Sequence, residues 1–381
     1  MNPAFDSREP DWRVRPARTA SDAVRIATWG LLPALLREVG ELWDWGWHRS
    51  PEQQAAFLGF PHPWNFPHLL FATGILGLFA VLGLGHPRLF QWIRSGFRGS
   101  ASIALRDSPG TTVAVAGVLL FLVASVLDTR RHLQGGPDPA FTFQHVMLTA
   151  SSAVACLGMF LIATLDVPAG RARRILSWAW LVALLSTTMT PFPPLGLQAW
   201  SANAQAAIGL VKLVLPVALA LRFGPWPLRV TGVVGAYVFI RLLAWLVESA
   251  AGFSVPPPVL QGYLVPAVLS DGALLLLGTW RGAPFVAALV FGLAAGPAGY
   301  LSLMVRPETW SLHGLRVASA EGAAGAAALV VLLLAIDGIR RRFTRVAVSP
   351  NPRANGVARF WPGAPAAGDE HSAPGSRHRS H

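Results

Sequence analysis

Long apolar segments alternate with short polar segments along most of the chain, and this pattern predicts membrane-spanning helices. Ten of the segments approach the roughly 20 residues that an α-helix needs to cross about 30 Å of hydrocarbon. We therefore predict an all-α, polytopic helical bundle with about ten transmembrane helices. The predicted spans are 24–43, 66–84, 112–128, 141–164, 175–191, 205–222, 228–248, 259–280, 284–305 and 314–338.

The first predicted span is the weakest of the set. Arg37, Glu38 and Glu41 lie in its second half, and charged side chains are costly in hydrocarbon. An amphipathic helix at the membrane surface is therefore an alternative interpretation of 24–43.

Charges in the connecting loops predict the orientation of the bundle. Arginines cluster in loops 85–110, 165–174 and 222–229, whereas loops 191–204 and 249–258 contain no charged residue. Basic loops face the cytoplasm, so this alternation favours an even number of spans with both termini cytoplasmic. We predict a multi-pass protein of a bacterial-type inner (plasma) membrane.

Both ends of the chain differ from its apolar middle. Residues 1–23 are polar and predict a cytoplasmic N-terminal segment, and 24–344 form the predicted transmembrane domain. Residues 345–381 are rich in Pro, Gly, Ala, Ser, Arg and His and have no helical period. This composition predicts a disordered cytoplasmic tail.

The composition excludes an ordinary soluble enzyme and an intrinsically disordered protein. Hydrophobic residues make up 53% of the chain and charged residues only 13%, against about a quarter charged in soluble domains. The net charge of +12 comes from arginines in short clusters between apolar segments, which favours contact with lipid and excludes nucleic acid as the expected partner. The single cysteine, Cys156, excludes an intrachain disulfide.

A polar motif occurs twice within residues 24–165. Each copy has Asp and His four residues apart at the end of one span, and a second His near the start of the next span. Residues i and i+4 share a helix face, and a helical hairpin returns the third residue to the same membrane depth. The six residues are Asp44, His48 and His68 in the first motif, and Asp128, His132 and His145 in the second.

Two imidazoles and one carboxylate form a ligand set for a transition metal. Such a set suits copper, iron or zinc better than calcium or magnesium. We predict copper, with iron or zinc as alternatives, bound toward the non-cytoplasmic face. Ion pairs are the alternative interpretation, for instance Asp44 with Arg49, or Asp128 with Arg130 or Arg131.

The second motif resembles the copper-ligand motif, D-x3-H-x12-H, in a membrane subunit of the particulate methane and ammonia monooxygenase family. The first motif is similar in its local residues, with Trp47 before His48 and Pro67 before His68, although its histidines are separated by a longer gap. The resemblance covers about residues 40–165. It implies copper ligands in both motifs and a subunit of a copper membrane monooxygenase that acts on a small apolar molecule.

Polar residues within or next to other predicted spans support further hypotheses. Glu248, His313 and Glu321 are candidates for hydrogen bonds to the metal ligands or for proton relay. Lys212, Arg241, Asp271 and Glu321 together predict a transporter or channel pathway. Alternatively, Lys212 and Asp271 form a structural ion pair between helices.

A third hypothesis is a non-catalytic assembly subunit of a membrane complex. The predicted partners are the lipid bilayer, together with other membrane subunits or further copies of this chain.

Overall fold

The computed structural model describes residues 20–49, 66–86, 89, 108–134, 143–189, 202–224, 227–250, 252, 261–303 and 311–348. Within these residues the chain is helical and contains no β-strand, which confirms the predicted all-α class. The helices are α1 (Ala20–Trp29), α2 (Leu31–Arg49), α3 (Phe66–Gly85), α4 (Pro109–Leu133), α5 (Phe143–Leu161), α6 (Arg171–Met189), α7 (Ala202–Phe223), α8 (Arg229–Ala250), α9 (Leu264–Leu277), α10 (Ala283–Leu303) and α11 (Leu312–Val348).

Six segments of the described residues are long and apolar enough to cross a membrane. They match six of the ten predicted spans in position. The segments are Phe66–Gly85, Pro109–Arg131, Phe143–Asp166, Arg229–Val247, Ala283–Ser302 and Leu312–Ile339. The predicted spans 24–43, 175–191, 205–222 and 259–280 fall on α1 with α2, and on α6, α7 and α9. A membrane crossing by these helices stays a prediction.

The segment predicted as one helix over 24–43 is instead two helices that meet at Gly30. A Cβ atom at Gly30 would lie 3.0 Å from the ring of Trp180, so the absence of a side chain permits this close approach. The indole Nε1 of Trp180 donates a hydrogen bond of 2.9 Å to the carbonyl of Ala27. This contact attaches the end of α1 to α6.

Helix α4 begins with a side-chain cap. Ser108 precedes Pro109, and the backbone N–H of Thr111 donates to the Ser108 hydroxyl at 3.1 Å, as in a helix N-cap. The same hydroxyl donates to Asp166, just after α5, at 2.6 Å. These hydrogen bonds join the start of α4 to the end of its neighbour.

Two antiparallel helical hairpins, α2–α3 and α4–α5, form the first half of the fold. In α2–α3, Gly40 faces the backbone of Phe71. In α4–α5, a Cβ at Gly117 would lie 2.7 Å from the Cα of Ala155, and Gly158 faces Ala114 as closely. Small residues let the backbones of paired membrane helices approach closely, so each hairpin has a fixed register.

Asp271 on α9 caps the start of α8. Its carboxylate accepts hydrogen bonds from the backbone N–H groups of Val230 at 3.1 Å and Thr231 at 2.7 Å. A carboxylate at a helix N-terminus satisfies unpaired N–H groups and interacts favourably with the helix dipole. This packing gives Asp271, which is 1% exposed, a structural role.

We expect Asp271→Ala to lower the free energy of unfolding by about 2 kcal/mol, because two buried N–H groups lose their acceptor. Asp271→Asn keeps one side-chain acceptor and should lose about half as much. Unfolding in mixed detergent micelles, followed by circular dichroism, measures both values. Equal stability of wild type and Asp271→Ala would contradict the capping role.

The helical part of the chain extends beyond the predicted boundaries at both ends. Helix α1 begins at Ala20, within the predicted N-terminal segment 1–23, and α11 ends at Val348, within the predicted tail 345–381. Residues 1–19 and 349–381 lie outside the described residues. The chain divides into two compact units, 1–335 and 336–381, and the described part of the second unit, 336–348, is helical.

Candidate functional site

The first motif brings a carboxylate and an imidazole together across the α2–α3 hairpin. Asp44 lies near the end of α2 and His68 near the start of α3. Asp44 Oδ1 and His68 Nε2 are 3.4 Å apart, and both side chains are largely buried. The sequence spacing predicted this approach.

The second motif forms the same pair in the α4–α5 hairpin. Asp128 Oδ1 lies 3.3 Å from His145 Nε2, and the Asp128 side chain is 8% exposed. The two hairpins therefore place the same two groups at the same kind of position, with almost the same separation.

Helical periodicity explains why each aspartate faces its histidine. Asp44 follows Gly40 by one helical turn, and Asp128 follows Gly117 by eleven residues, or about three turns. Both glycines lie where the two helices of their hairpin touch. Each carboxylate therefore lies on the contact face of its hairpin rather than on the lipid-facing side.

The two Asp–His pairs lie at similar depth in the fold. The rings of Phe71 on α3 and Phe121 on α4 pack edge to face, with centroids 5.1 Å apart. His68 lies three residues from Phe71, and Asp128 lies seven residues from Phe121, both toward the same end of the hairpins. At 1.5 Å per residue, the pairs differ by only about 6 Å along the helix axes.

In each motif, the structure describes only the backbone of the histidine that follows the aspartate by four residues. His48 and His132 lie on α2 and α4, one helical turn after Asp44 and Asp128, but their side chains lie outside the described part of the structure. Among the described residues, no group of three His, Cys, Asp or Glu side chains is placed to bind a metal. The full three-residue sets thus stay a prediction.

The other predicted polar candidates lie on later helices. His313 is exposed at the start of α11, and Glu321 is partly buried on the same helix. The Glu248 side chain, on α8, lies outside the described part of the structure. Lys212 and Arg241 are partly buried on α7 and α8.

A second buried polar group, which we call the Arg37 cluster, comprises Arg37, Glu38 and Glu41 of α2 with Ser186 and Thr187 of α6. Arg37 is only 2% exposed. Its Nη1 donates to Glu38 Oε2 at 3.0 Å and to the Thr187 hydroxyl at 2.7 Å, and Nη2 forms an ion pair with Glu41. The Ser186 hydroxyl donates to the other oxygen of Glu38.

The Arg37 cluster also contacts the first hairpin and α5. The guanidinium of Arg37 lies over the ring of Phe71, 5.3 Å from its centroid, in the range of a cation–π contact. The thiol of Cys156 lies 3.5 Å from the Thr187 hydroxyl. The cluster therefore joins α2, α3, α5 and α6 at one buried point.

The sequence contains a signal for this cluster in the charged residues of the first predicted span. Arg37, Glu38 and Glu41 lie within about one turn of each other in the mostly apolar segment 24–43. Such residues face the bundle interior when they occur in membrane segments. Their partners, Ser186 and Thr187, are ordinary residues in sequence and carry no corresponding signal.

Comparison with known proteins identifies no similar protein. No family model, curated protein or solved structure matches the chain.

Proposed function

We propose that this chain is a multi-pass membrane protein that binds a transition metal, with copper preferred over iron or zinc, at its two Asp/His motifs. The observation that supports the proposal is the repeated Asp–His pair, formed across two neighbouring hairpins with separations of 3.4 and 3.3 Å. One such pair is common in proteins as an ion pair. The repetition at similar depth and in the same orientation favours a shared chemical purpose.

The separations suit two ligands of one ion. Nitrogen and oxygen ligands lie at about 2.0–2.1 Å from a metal such as zinc, and tetrahedral angles then place the two ligand atoms about 3.3 Å apart. Asp44 with His68, and Asp128 with His145, would hold the ion, and His48 and His132 would complete the sets. A bound copper ion would supply one-electron redox chemistry, in keeping with an oxidoreductase or a monooxygenase-like subunit acting on a small apolar substrate.

The proposed orientation in the membrane is based on the alternation of basic and uncharged loops in the sequence. Ten spans with both termini cytoplasmic would place both motifs toward the non-cytoplasmic face of a bacterial-type inner membrane. In this ten-span arrangement the motif ends of α2 and α4 would lie on the same side, so both ions would be reached from that side.

Metal analysis of the purified protein tests the proposal. Wild-type protein loaded with Cu(II) and freed of excess metal should retain one copper ion per motif. His68→Asn should lose the first ion, and His145→Asn should lose the second. The nitrogen coupling in the electron paramagnetic resonance spectrum should decrease in each variant as the copper is lost.

A matched control is His86→Asn. His86 is another buried histidine, whose Nδ1 accepts the backbone N–H of Leu89 at 3.3 Å, and it belongs to neither motif. The variant should bind as much copper as wild type. Wild-type protein that retains no copper, iron or zinc, or motif variants that retain as much as His86→Asn, would leave the pairs as structural ion pairs and overturn the proposal.

A further inference from the structure

An apolar cavity of about 580 Å³ lies between α2, α6 and α8, beside the Arg37 cluster. Its volume is in the range that encloses a drug-sized molecule. The walls are formed almost entirely by aliphatic side chains, and the polar residues among them are Glu38, Ser186 and Thr187. The cavity therefore has one polar point in an otherwise hydrocarbon-like interior.

The cavity opens through an apolar surface. Its lining includes Leu35 and Val39 on α2, and Leu243 and Val247 on α8, and all four side chains are exposed. Helix α8 is among the segments apolar enough to cross a membrane. In a membrane this opening faces lipid, so a molecule dissolved in the bilayer reaches the cavity without passing through water.

The polar point contains more acidic than basic groups. The cluster contains one guanidinium and two carboxylates, Glu38 and Glu41, and Arg37 is held by both. Of the two acids, Glu38 lines the cavity. A buried carboxylate gains most from an additional hydrogen-bond donor, because charge-assisted hydrogen bonds are the stronger class.

We propose that this cavity binds a membrane-dissolved molecule with an apolar body and a hydroxyl group at one end, an alcohol or a phenol. The hydroxyl donates to the Glu38 carboxylate, and the apolar body fills the space between α2, α6 and α8. A carboxylic acid is disfavoured, because its carboxylate would approach a cluster of two carboxyl groups and only one guanidinium. The proposal is independent of the metal sites.

Binding in lipid nanodiscs tests the proposal. Wild-type protein in phosphatidylcholine nanodiscs is equilibrated with radiolabelled 4-dodecylphenol, dodecylbenzene or dodecanoate, and binding to empty nanodiscs is subtracted. We expect 4-dodecylphenol to bind at least about tenfold more tightly than dodecylbenzene. This is the gain in affinity expected from one hydrogen bond to a charged group. In Glu38→Gln this advantage should fall to about threefold or less.

A second variant tests the location without touching the Arg37 cluster. Ala244 lines the cavity on α8, and Ala244→Phe should reduce the binding of both 4-dodecylphenol and dodecylbenzene by more than about tenfold by filling the space. Leu246→Phe, on the same helix but exposed and outside the lining, is the matched control and should bind like wild type.

Three results would overturn the proposal. They are equal binding of 4-dodecylphenol and dodecylbenzene by wild type, tighter binding of dodecanoate than of the phenol, and unchanged binding by Ala244→Phe. The copper content of the same samples is measured as well. Glu38→Gln, Ala244→Phe and Leu246→Phe should all retain as much copper as wild type, so failure of the cavity proposal can be distinguished from failure of the metal proposal.

Discussion

Arg37→Met should lower the free energy of unfolding by about 3–5 kcal/mol, the largest loss expected from a single substitution in this protein. The guanidinium is the cationic partner of Glu38 and Glu41 in a site that is closed to solvent. Its removal leaves two carboxylates close together in a medium of low dielectric constant. Methionine keeps much of the volume, so the loss reports charge and hydrogen bonding rather than a cavity.

The control is a similar pair at the surface. Arg25 donates to Asp22 at 2.8 Å, but its side chain is 58% exposed. Arg25→Met should change the stability by less than about 1 kcal/mol, as for other exposed ion pairs. Chemical unfolding in mixed micelles, monitored by tryptophan fluorescence, compares the two variants.

A combined variant separates the charge effect from packing. Replacing Glu38 and Glu41 with glutamine in the Arg37→Met background removes the uncompensated charges. It should recover at least half of the loss, because a buried ionic group replaced as a unit is tolerated better than one broken by removing a partner. No recovery would show that Arg37 acts mainly through its contact with the ring of Phe71.

Gly158→Ala should destabilise the α4–α5 hairpin by about 3 kcal/mol, at the upper end of the cost of overpacking. A Cβ at this position would meet the backbone of Ala114 on the facing helix. Backbone atoms cannot rotate away as a flexible side chain can, so the two helices must separate. The His145–Asp128 distance would lengthen with them, and the copper bound by the second motif should decrease as well.

Gly272 supplies the matched control. It lies on α9 with no atom within 4 Å of an added Cβ. Gly272→Ala should be neutral or should stabilise the protein by up to about 1 kcal/mol through helix propensity. Equal effects of the two substitutions on thermal unfolding in detergent would contradict the role of Gly158 in close helix contact.

The sequence predicted the hairpins and the Asp–His pairs well because both depend on local rules. Apolar length indicates a membrane helix, and the positions of Asp44, His68, Asp128 and His145 at consecutive helix ends indicate which groups approach. The prediction used only separations of a few residues along the chain and the antiparallel return of each hairpin.

The Arg37 cluster and the cavity depend on information that the linear pattern lacks. Thr187 and Ser186 lie 150 and 148 residues from their partners Arg37 and Glu38. Nothing in the apolar pattern of α6 shows which face meets α2. The same holds for Asp271, because only the packing of α9 against the start of α8 shows that it caps a helix.

The distance along the chain between Arg37 and Thr187 has a consequence for biogenesis. At 5–20 residues per second, a ribosome needs about 8–30 s to synthesise the 150 residues between them. Until α6 emerges, α2 has Glu38 and Glu41 beside its arginine but lacks the two hydroxyl groups that complete the site. The Arg37 cluster is therefore completed only after α6 has been synthesised, and during that interval α2 has charged side chains that still lack two of their hydrogen-bond partners.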